Sequence, residues 1–98
     1  MISGIFAGMA EDQADRGDYT GARWRIHYAI KWAPDDFALT GAHIINARIA
    51  YMSGDHKEAK SSFDYVQNIF KAHPEYQQLP EFRSALKKMQ KVFGHPIS

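Results

Sequence analysis

Apolar residues recur at helical spacing in five segments of this chain, and glycines or prolines separate the segments. The segments cover about 2–15, 19–33 and 37–52, a fourth that opens at 55–58 and ends near residue 72, and a fifth at about 80–93. No stretch alternates apolar and polar residues for long enough to predict a strand. We therefore predict an all-α fold of five helices in a single domain spanning 1–98.

Acidic residues stand where three of the helices should begin. Asp18 is placed to cap the second helix, and Asp35 or Asp36 to cap the third. Asp55 precedes the fourth helix and is followed three residues later by Glu58, which is the spacing of a capping box. These positions predict where the helices start.

A glycine turn followed by the same helix stripe occurs twice. Gly17-Asp18 and Gly54-Asp55 lie 37 residues apart, and Gly17 is suited to a left-handed cap that ends the first helix. At the same offset, one apolar stripe maps onto a second: Ala22, Ile26, Ala29 and Ala33 onto Ala59, Phe63, Val66 and Phe70. This pattern indicates a repeat of helical hairpins.

The third segment is apolar over most of its circumference, which predicts the central and most buried helix. One side carries Ala38, Ala42, Ile45, Ile49 and Met52, and beside this side lie Ile44, Ala47 and Tyr51. The first and fifth helices carry narrower stripes, which we expect to face the core: Ile2, Ile5, Phe6, Met9, Ala10 and Ala14 in one, and Phe82, Leu86, Met89 and Phe93 in the other. Gly94 and Pro96 should end the fifth helix.

The chain resembles a tetratricopeptide-repeat protein. The first copy has the family's turn and helix residues at the family's spacing, and the second keeps some of them: Gly17, Asp18, Tyr19, Ala22, Ala29 and Pro34, then Gly54, Asp55, Ala59 and Pro74. The resemblance implies two antiparallel hairpins stacked as repeats, a C-terminal capping helix, and a non-enzymatic adaptor or regulator that binds a protein or peptide. Gln13 and Val66 depart from the pattern, and an unrelated five-helix bundle is the alternative.

The inner surface of such repeats binds peptides, so the resemblance implies candidate partner-binding residues. The surface would contain Gly41, Ile44, Arg48, Tyr51 and Met52, together with Glu11 and Asp15. Arg48 is the only formal charge between Phe37 and Gly54. It would either hold a partner carboxylate or form an internal pair with Asp15 or Glu11.

Trp24, Tyr28 and Trp32 stand four residues apart on the second helix. One interpretation is an aromatic patch for a partner, since tryptophan and tyrosine are frequent interface anchors. The other is that this face packs against the N-terminal or the terminal helix. The resemblance implies that Trp24 and Tyr28 face solvent and that Trp32 is buried.

Composition adds few chemical signals. The net charge of +1 argues against a dominant electrostatic role, and no cysteine is present. The five histidines form no i, i+4 pair, and no catalytic or phosphate-binding motif occurs. We expect no catalytic residues, no metal and no cofactor.

The alternative function is nucleic-acid binding, because Arg23 and Arg25 alternate with aromatic residues. A second basic strip lies in the fifth helix: Lys87, Lys88 and Lys91. The start of the chain is acidic and its end basic, which suggests self-association into a homo-oligomer. No apolar run reaches the length of a membrane span, and the opening lacks the basic start of a signal peptide, so we expect a cytoplasmic protein.

Overall fold

The computed structural model describes residues 2–93, without the side chains of 2–5, 85, 92 and 93. Five α-helices occupy most of this range: α1 (Ile2–Asp15), α2 (Tyr19–Lys31), α3 (Asp36–Met52), α4 (His56–Ala72) and α5 (Pro80–Phe93). A short 3-10 helix, Pro74–Gln78, joins α4 to α5. Within 2–93 there is no strand, which confirms the predicted all-α class.

The predicted acidic caps begin three of the helices. In each case an aspartate side chain accepts a hydrogen bond from the main-chain N–H three residues later: Asp18 from Gly21, Asp35 from Ala38 and Asp55 from Glu58. Asp35, and not Asp36, is therefore the cap of α3. Such a cap stabilises a helix by about 1 kcal/mol.

The two glycine turns have the same structure. Gly17 and Gly54 adopt φ values of 85° and 91°, the left-handed region that glycine tolerates. The residue after each glycine donates its N–H to the carbonyl five residues earlier, at 2.9 Å in both copies: Asp18 to Gln13 and Asp55 to Ala50. This is the Schellman arrangement of a helix end. The 37-residue sequence repeat is therefore also a repeat of local structure.

Helix α3 is the centre of the fold, as predicted, since it packs against α1, α2, α4 and α5. Its two sides belong to two core clusters. The first lies among α1, α2 and α3 and is rich in alanine: Ala10, Ala14, Ala22, Ile26, Ala29, Ala42 and Ile49. The second lies among α3, α4 and α5: Ile44, Ala47, Val66, Phe70, Phe82, Leu86 and Met89. Small residues in the first cluster let the helices approach closely, whereas large side chains fill the second.

Two expectations from the sequence need correction. Met9 was assigned to the core face of α1 but is 38% exposed, because Ala10 and Ala14 form the buried seam and Met9 lies beside it. The 3-10 helix at Pro74–Gln78 was not predicted, because a single short turn has no apolar periodicity to reveal it. The expected core roles of Ile2, Ile5 and Phe93 concern side chains that the structure does not describe, and the expected end of α5 at Gly94 and Pro96 lies outside the described residues.

Among the helices described, none combines the length and the apolar character that crossing a bilayer requires.

Candidate functional site

Helix α5 covers the surface of α3 on which a peptide was expected to bind. Ile44 is only 1% exposed and packs in the second core cluster with Phe82 and Met89 of α5. A Cβ atom at Gly41 would lie 3.4 Å from the Phe82 ring, so the α5 aromatic is in close contact with the α3 backbone. A partner reaches Ile44 only if α5 leaves.

Arg48 is also buried, and its charge is paired within the chain. Its Nη1 donates a hydrogen bond to Asp15 Oδ1 at 3.2 Å. Its Nη2 lies 3.5 Å from Glu11 Oε2, near enough for ionic attraction but without a hydrogen bond. Lys88 of α5 approaches the same Glu11 carboxylate, at 3.6 Å. Of the two interpretations of Arg48, the structure shows the internal pair, and this pair connects α1 to α3.

Tyr51 lies next to the last residue of α3 and is half-buried. Its ring stacks on His56 with 4.5 Å between the ring centres and an angle of 10° between the planes. Part of the side chain is accessible, and contact between Tyr51 and a partner stays a prediction.

Three exposed aromatic residues lie on α2, and a fourth, Phe37, lies in the first turn of α3. Trp24 is 60% exposed, Trp32 58% and Tyr28 39%. The rings of Trp24 and Tyr28 are 4.7 Å apart, and Phe6 of α1 lies 5.6 Å from Tyr28. We call the surface formed by Met9, Trp24, Arg25, Tyr28, Lys31 and Trp32 the outer face of α2.

Trp32 corrects an implication of the family resemblance, which placed it in the core. At about 100° per residue, Trp32 lies about 40° from Tyr28 around the helix but about 60° from the buried Ala29. It also occupies the C-cap, where α2 has ended. Trp32 therefore extends the row of Trp24 and Tyr28. The interpretation that this face packs against the N-terminal helix holds only in part, through the contact between Phe6 and Tyr28.

The cations of α2 differ in their partners. Arg23 donates to Asp55 at 2.8 Å and to Glu58 at 2.9 Å. The bond to Asp55 raises the pKa of Arg23, while the Glu58 main-chain N–H and then Arg23 lower the pKa of Asp55. His27 lies 3.2 Å from the same Glu58 carboxylate. Arg23 and His27 thus connect α2 to the start of α4 and are occupied by that role.

Arg25 and Lys31 have no carboxylate partner within residues 2–93. The Nη1 of Arg25 lies 3.2 Å from the sulfur of Met9, and the Lys31 ammonium lies 5.8 Å from the centre of the Trp32 ring. Both contacts place a positive charge against a soft apolar group on the outer face of α2. The charge itself is available to an outside partner.

A buried polar cluster between α3 and α4 brings a serine and a histidine together. Ser62 Oγ accepts a hydrogen bond from Asn46 at 2.7 Å and lies 3.0 Å from His43 Nδ1. His43 stacks on Tyr65, and burial lowers the pKa of His43. Serine with histidine is one element of nucleophilic catalysis, but here Ser62 is only 3% exposed, between two packed helices. The cluster holds α3 against α4.

The basic residues of the nucleic-acid hypothesis do not form one continuous surface. Arg23 is paired with Asp55 and Glu58, and Lys88 approaches Glu11. Helix α3 packs against both α2 and α5 and so lies between the two strips. On α5, Arg83 and Lys87 line a shallow cleft of about 210 Å³ beside the 3-10 helix. Among the residues that the structure describes, no group of three or more metal-binding side chains is close enough to hold an ion.

Sequence reasoning missed the network of Arg23, His27, Asp55 and Glu58. The one signal for it was the capping box, which placed Asp55 and Glu58 at the start of α4 but did not indicate that α2 lies beside them.

Comparison of the chain with protein-family models, with curated proteins and with solved structures finds no match.

Proposed function

We propose that this protein is a non-enzymatic interaction module, a small cytoplasmic adaptor or regulator, which binds a protein or peptide partner through the outer face of α2. The observation that carries this proposal is the exposure of its aromatic residues. Five large apolar side chains are exposed in the described part of the chain, and four of them lie on this face: Met9, Trp24, Tyr28 and Trp32.

The energetic argument concerns what a partner would gain at this face. Burying a large apolar side chain stabilises a complex by about 1.5–3 kcal/mol. Trp24 and Trp32 each leave more than half of their surface in water, so most of this gain is still available. Tryptophan and tyrosine dominate binding energy at protein interfaces. Clustered exposed apolar side chains are typical of interaction sites.

The burial of two of the expected groove residues supports the same conclusion. Ile44 is packed under α5, and Arg48 is buried and paired with Glu11 and Asp15 of α1, so a peptide that contacted either side chain would have to displace part of the fold. The outer face of α2 requires no such displacement.

The architecture that we propose around this face is tetratricopeptide-like: two hairpins, α1–α2 and α3–α4, with α5 as a capping helix. The support is the repeated turn at Gly17 and Gly54, with the same hydrogen bonds in both copies. Helix packing of α1 on α2 and of α3 on α4 agrees with it.

A photo-crosslinking experiment in the native cell tests the proposed function. A photoreactive phenylalanine analogue replaces Trp24 in one variant and Ser61, an exposed residue of α4, in a matched control. We expect position 24 to form a covalent adduct with a specific protein, identified by mass spectrometry, and position 61 to form none. Equal adducts at both positions, or none at position 24, would contradict the proposal.

A further inference from the structure

We propose that the partner segment which binds the outer face of α2 is an acidic peptide carrying apolar side chains. This inference rests on the proposed function of the same face and specifies the chemistry of its partner. The apolar side chains cover Trp24, Tyr28 and Trp32, and carboxylates pair with Arg25 and Lys31.

The charge of α2 is the first argument. The helix Tyr19–Lys31 contains no acidic residue. Arg23 is neutralised by Asp55 and Glu58, whereas Arg25 and Lys31 face no carboxylate within residues 2–93. The outer face is therefore both apolar and cationic, and a complementary segment is both apolar and anionic.

The spacing of these groups is the second argument. Trp24, Tyr28 and Trp32 form a row about 12 Å long, because each residue of a helix rises about 1.5 Å. Arg25 lies at one end of the row and Lys31 near the other, about 9 Å apart along the axis. Along the axis this offset equals about three residues of an extended segment laid on the row, and the two charges lie on opposite flanks of the row, about 120° apart around the helix. Apolar side chains between the carboxylates of such a segment would meet the aromatic row.

A second copy of this chain is a poorer occupant. Two carboxylates of α1, Glu11 and Asp15, are already paired with Arg48, and Glu11 also approaches Lys88. These groups would have to break their own contacts in order to reach Arg25 of another copy.

Single-stranded nucleic acid is likewise less favoured than an acidic peptide. Stacking of bases on Trp24 would need a basic track along which the phosphates run, but Arg23, the nearest candidate, is held by two carboxylates. Only Arg25 and Lys31 remain on this face, which suits two discrete carboxylates better than a continuous phosphate backbone.

Intrinsic fluorescence provides a direct test, because the only two tryptophans of the chain, Trp24 and Trp32, both lie on this face. The probe is a synthetic peptide of about 12 residues, which covers the row whether it is extended or helical, with leucines between glutamates. A matched peptide has glutamine in place of each glutamate, and a third probe is a single-stranded oligonucleotide. Each probe is titrated against the full chain.

The variants separate this face from general attraction to a basic protein. Arg25→Glu with Lys31→Glu reverses both charges of the face. Arg83→Glu with Lys87→Glu makes the same two changes on exposed residues of α5 and is the control. Arg25→Gln with Lys31→Gln is a milder pair, and circular dichroism verifies that each variant is folded.

We expect the glutamate peptide to shift the tryptophan emission, to bind more weakly as salt rises, and to bind at least about tenfold more tightly than the glutamine peptide. The reversal on α2 should weaken binding by about tenfold or more, the Gln pair by less, and the α5 control by less than about twofold.

Four outcomes of the titrations would overturn the inference: equal binding of the glutamine peptide, equal loss in the α5 control, tighter binding of the oligonucleotide, or no binding of the acidic peptide. If sedimentation detects dimers that the Arg25→Glu, Lys31→Glu variant abolishes, this would also overturn the inference and identify a second copy as the occupant.

The crosslinking experiment separates this inference from the proposed function. If the protein crosslinked at position 24 has a contact segment without acidic residues, the proposed acidic chemistry of the partner is wrong, but the proposed interaction function survives. If position 24 forms no adduct, the function itself fails.

Discussion

The indole of Trp24 and the phenol ring of Tyr28 lie 4.7 Å apart, inclined at 44°, on consecutive turns of α2. Tyr28 is supported from α1 by Phe6, with 5.6 Å between the ring centres. These two contacts restrain the rings of Trp24 and Tyr28 before a partner binds. Because ordering a side chain on binding costs free energy, a row that is already packed on one side binds with a smaller penalty.

We predict that the exposed tryptophans contribute little to stability. Trp24→Ala and Trp32→Ala should each change the free energy of unfolding by less than about 1 kcal/mol, because both rings are mostly in water. Met89→Ala, at a fully buried site under α3, should cost about 2–5 kcal/mol. Urea unfolding of the three variants measures this. A tryptophan variant as unstable as the Met89 variant would show that the outer face is part of the core.

We predict that Arg48 contributes to the stability of the fold and not to the binding of the partner. Arg48→Ala removes the ion pair to Asp15 and Glu11 and also the buried stem, so we expect a loss of about 1–3 kcal/mol in urea unfolding. Arg48→Met retains an apolar stem and should cost less. Both variants should leave the crosslinked adduct at position 24 unchanged. Loss of the adduct in a stable Arg48→Met variant would restore the groove hypothesis.

The two classes of glycine should respond to alanine in opposite directions. Gly54→Ala forces a side chain into the left-handed region at φ 91° and should destabilise by about 1–2 kcal/mol. Gly8→Ala, inside α1 with nothing near the added carbon, should stabilise by about 0.5–1 kcal/mol. Thermal unfolding followed by circular dichroism compares them. Stabilisation by Gly54→Ala would argue against the turn described above.

Stability should fall on acidification partly through His43. Burial lowers the pKa of His43 in the folded state, so below about pH 6.5 the unfolded chain binds more protons than the folded one. This contribution is present at neutral pH and is lost as the pH falls from about 6.5 toward the folded pKa. Nearby, Glu58 acts to raise the pKa and His27 to lower it further.

His43→Gln isolates this effect, because glutamine does not titrate and still offers a hydrogen bond to Ser62. Urea unfolding at about pH 7.5 and about pH 5 should show a smaller acid loss in the variant than in the native chain. The same acid loss in both would contradict the role of His43.

The helices were predictable because their start and stop signals are local. Asp18, Asp35 and Asp55 cap the next few residues of their own helices, and Gly17 and Gly54 need only the left-handed conformation that their neighbours cannot adopt. Each of these signals acts within about one helical turn, so it can be recognised in the sequence without knowledge of the tertiary fold.

The position of α5 could not be predicted in the same way. The stripe of Phe82, Leu86 and Met89 shows that one face of α5 must be buried. An apolar stripe does not, however, indicate which surface of the molecule it will cover. The burial of Ile44 followed from this placement. The exposure of Trp32 depended on where α2 ends, which is Lys31 and not about residue 33 as predicted. Sequence signals place a helix boundary only to within a residue or two, so this exposure could not be predicted.

The most direct test of the binding surface is a ¹H–¹⁵N spectrum of the protein with the crosslinked partner's contact segment added. The two indole N–H signals report Trp24 and Trp32 separately, and the amides of Ile44 and Arg48 report α3. We predict that both indole signals shift or broaden while the α3 amides stay in place. Movement of the Ile44 and Arg48 amides with unchanged indole signals would contradict the account, because it would place the partner in the groove that α5 now fills.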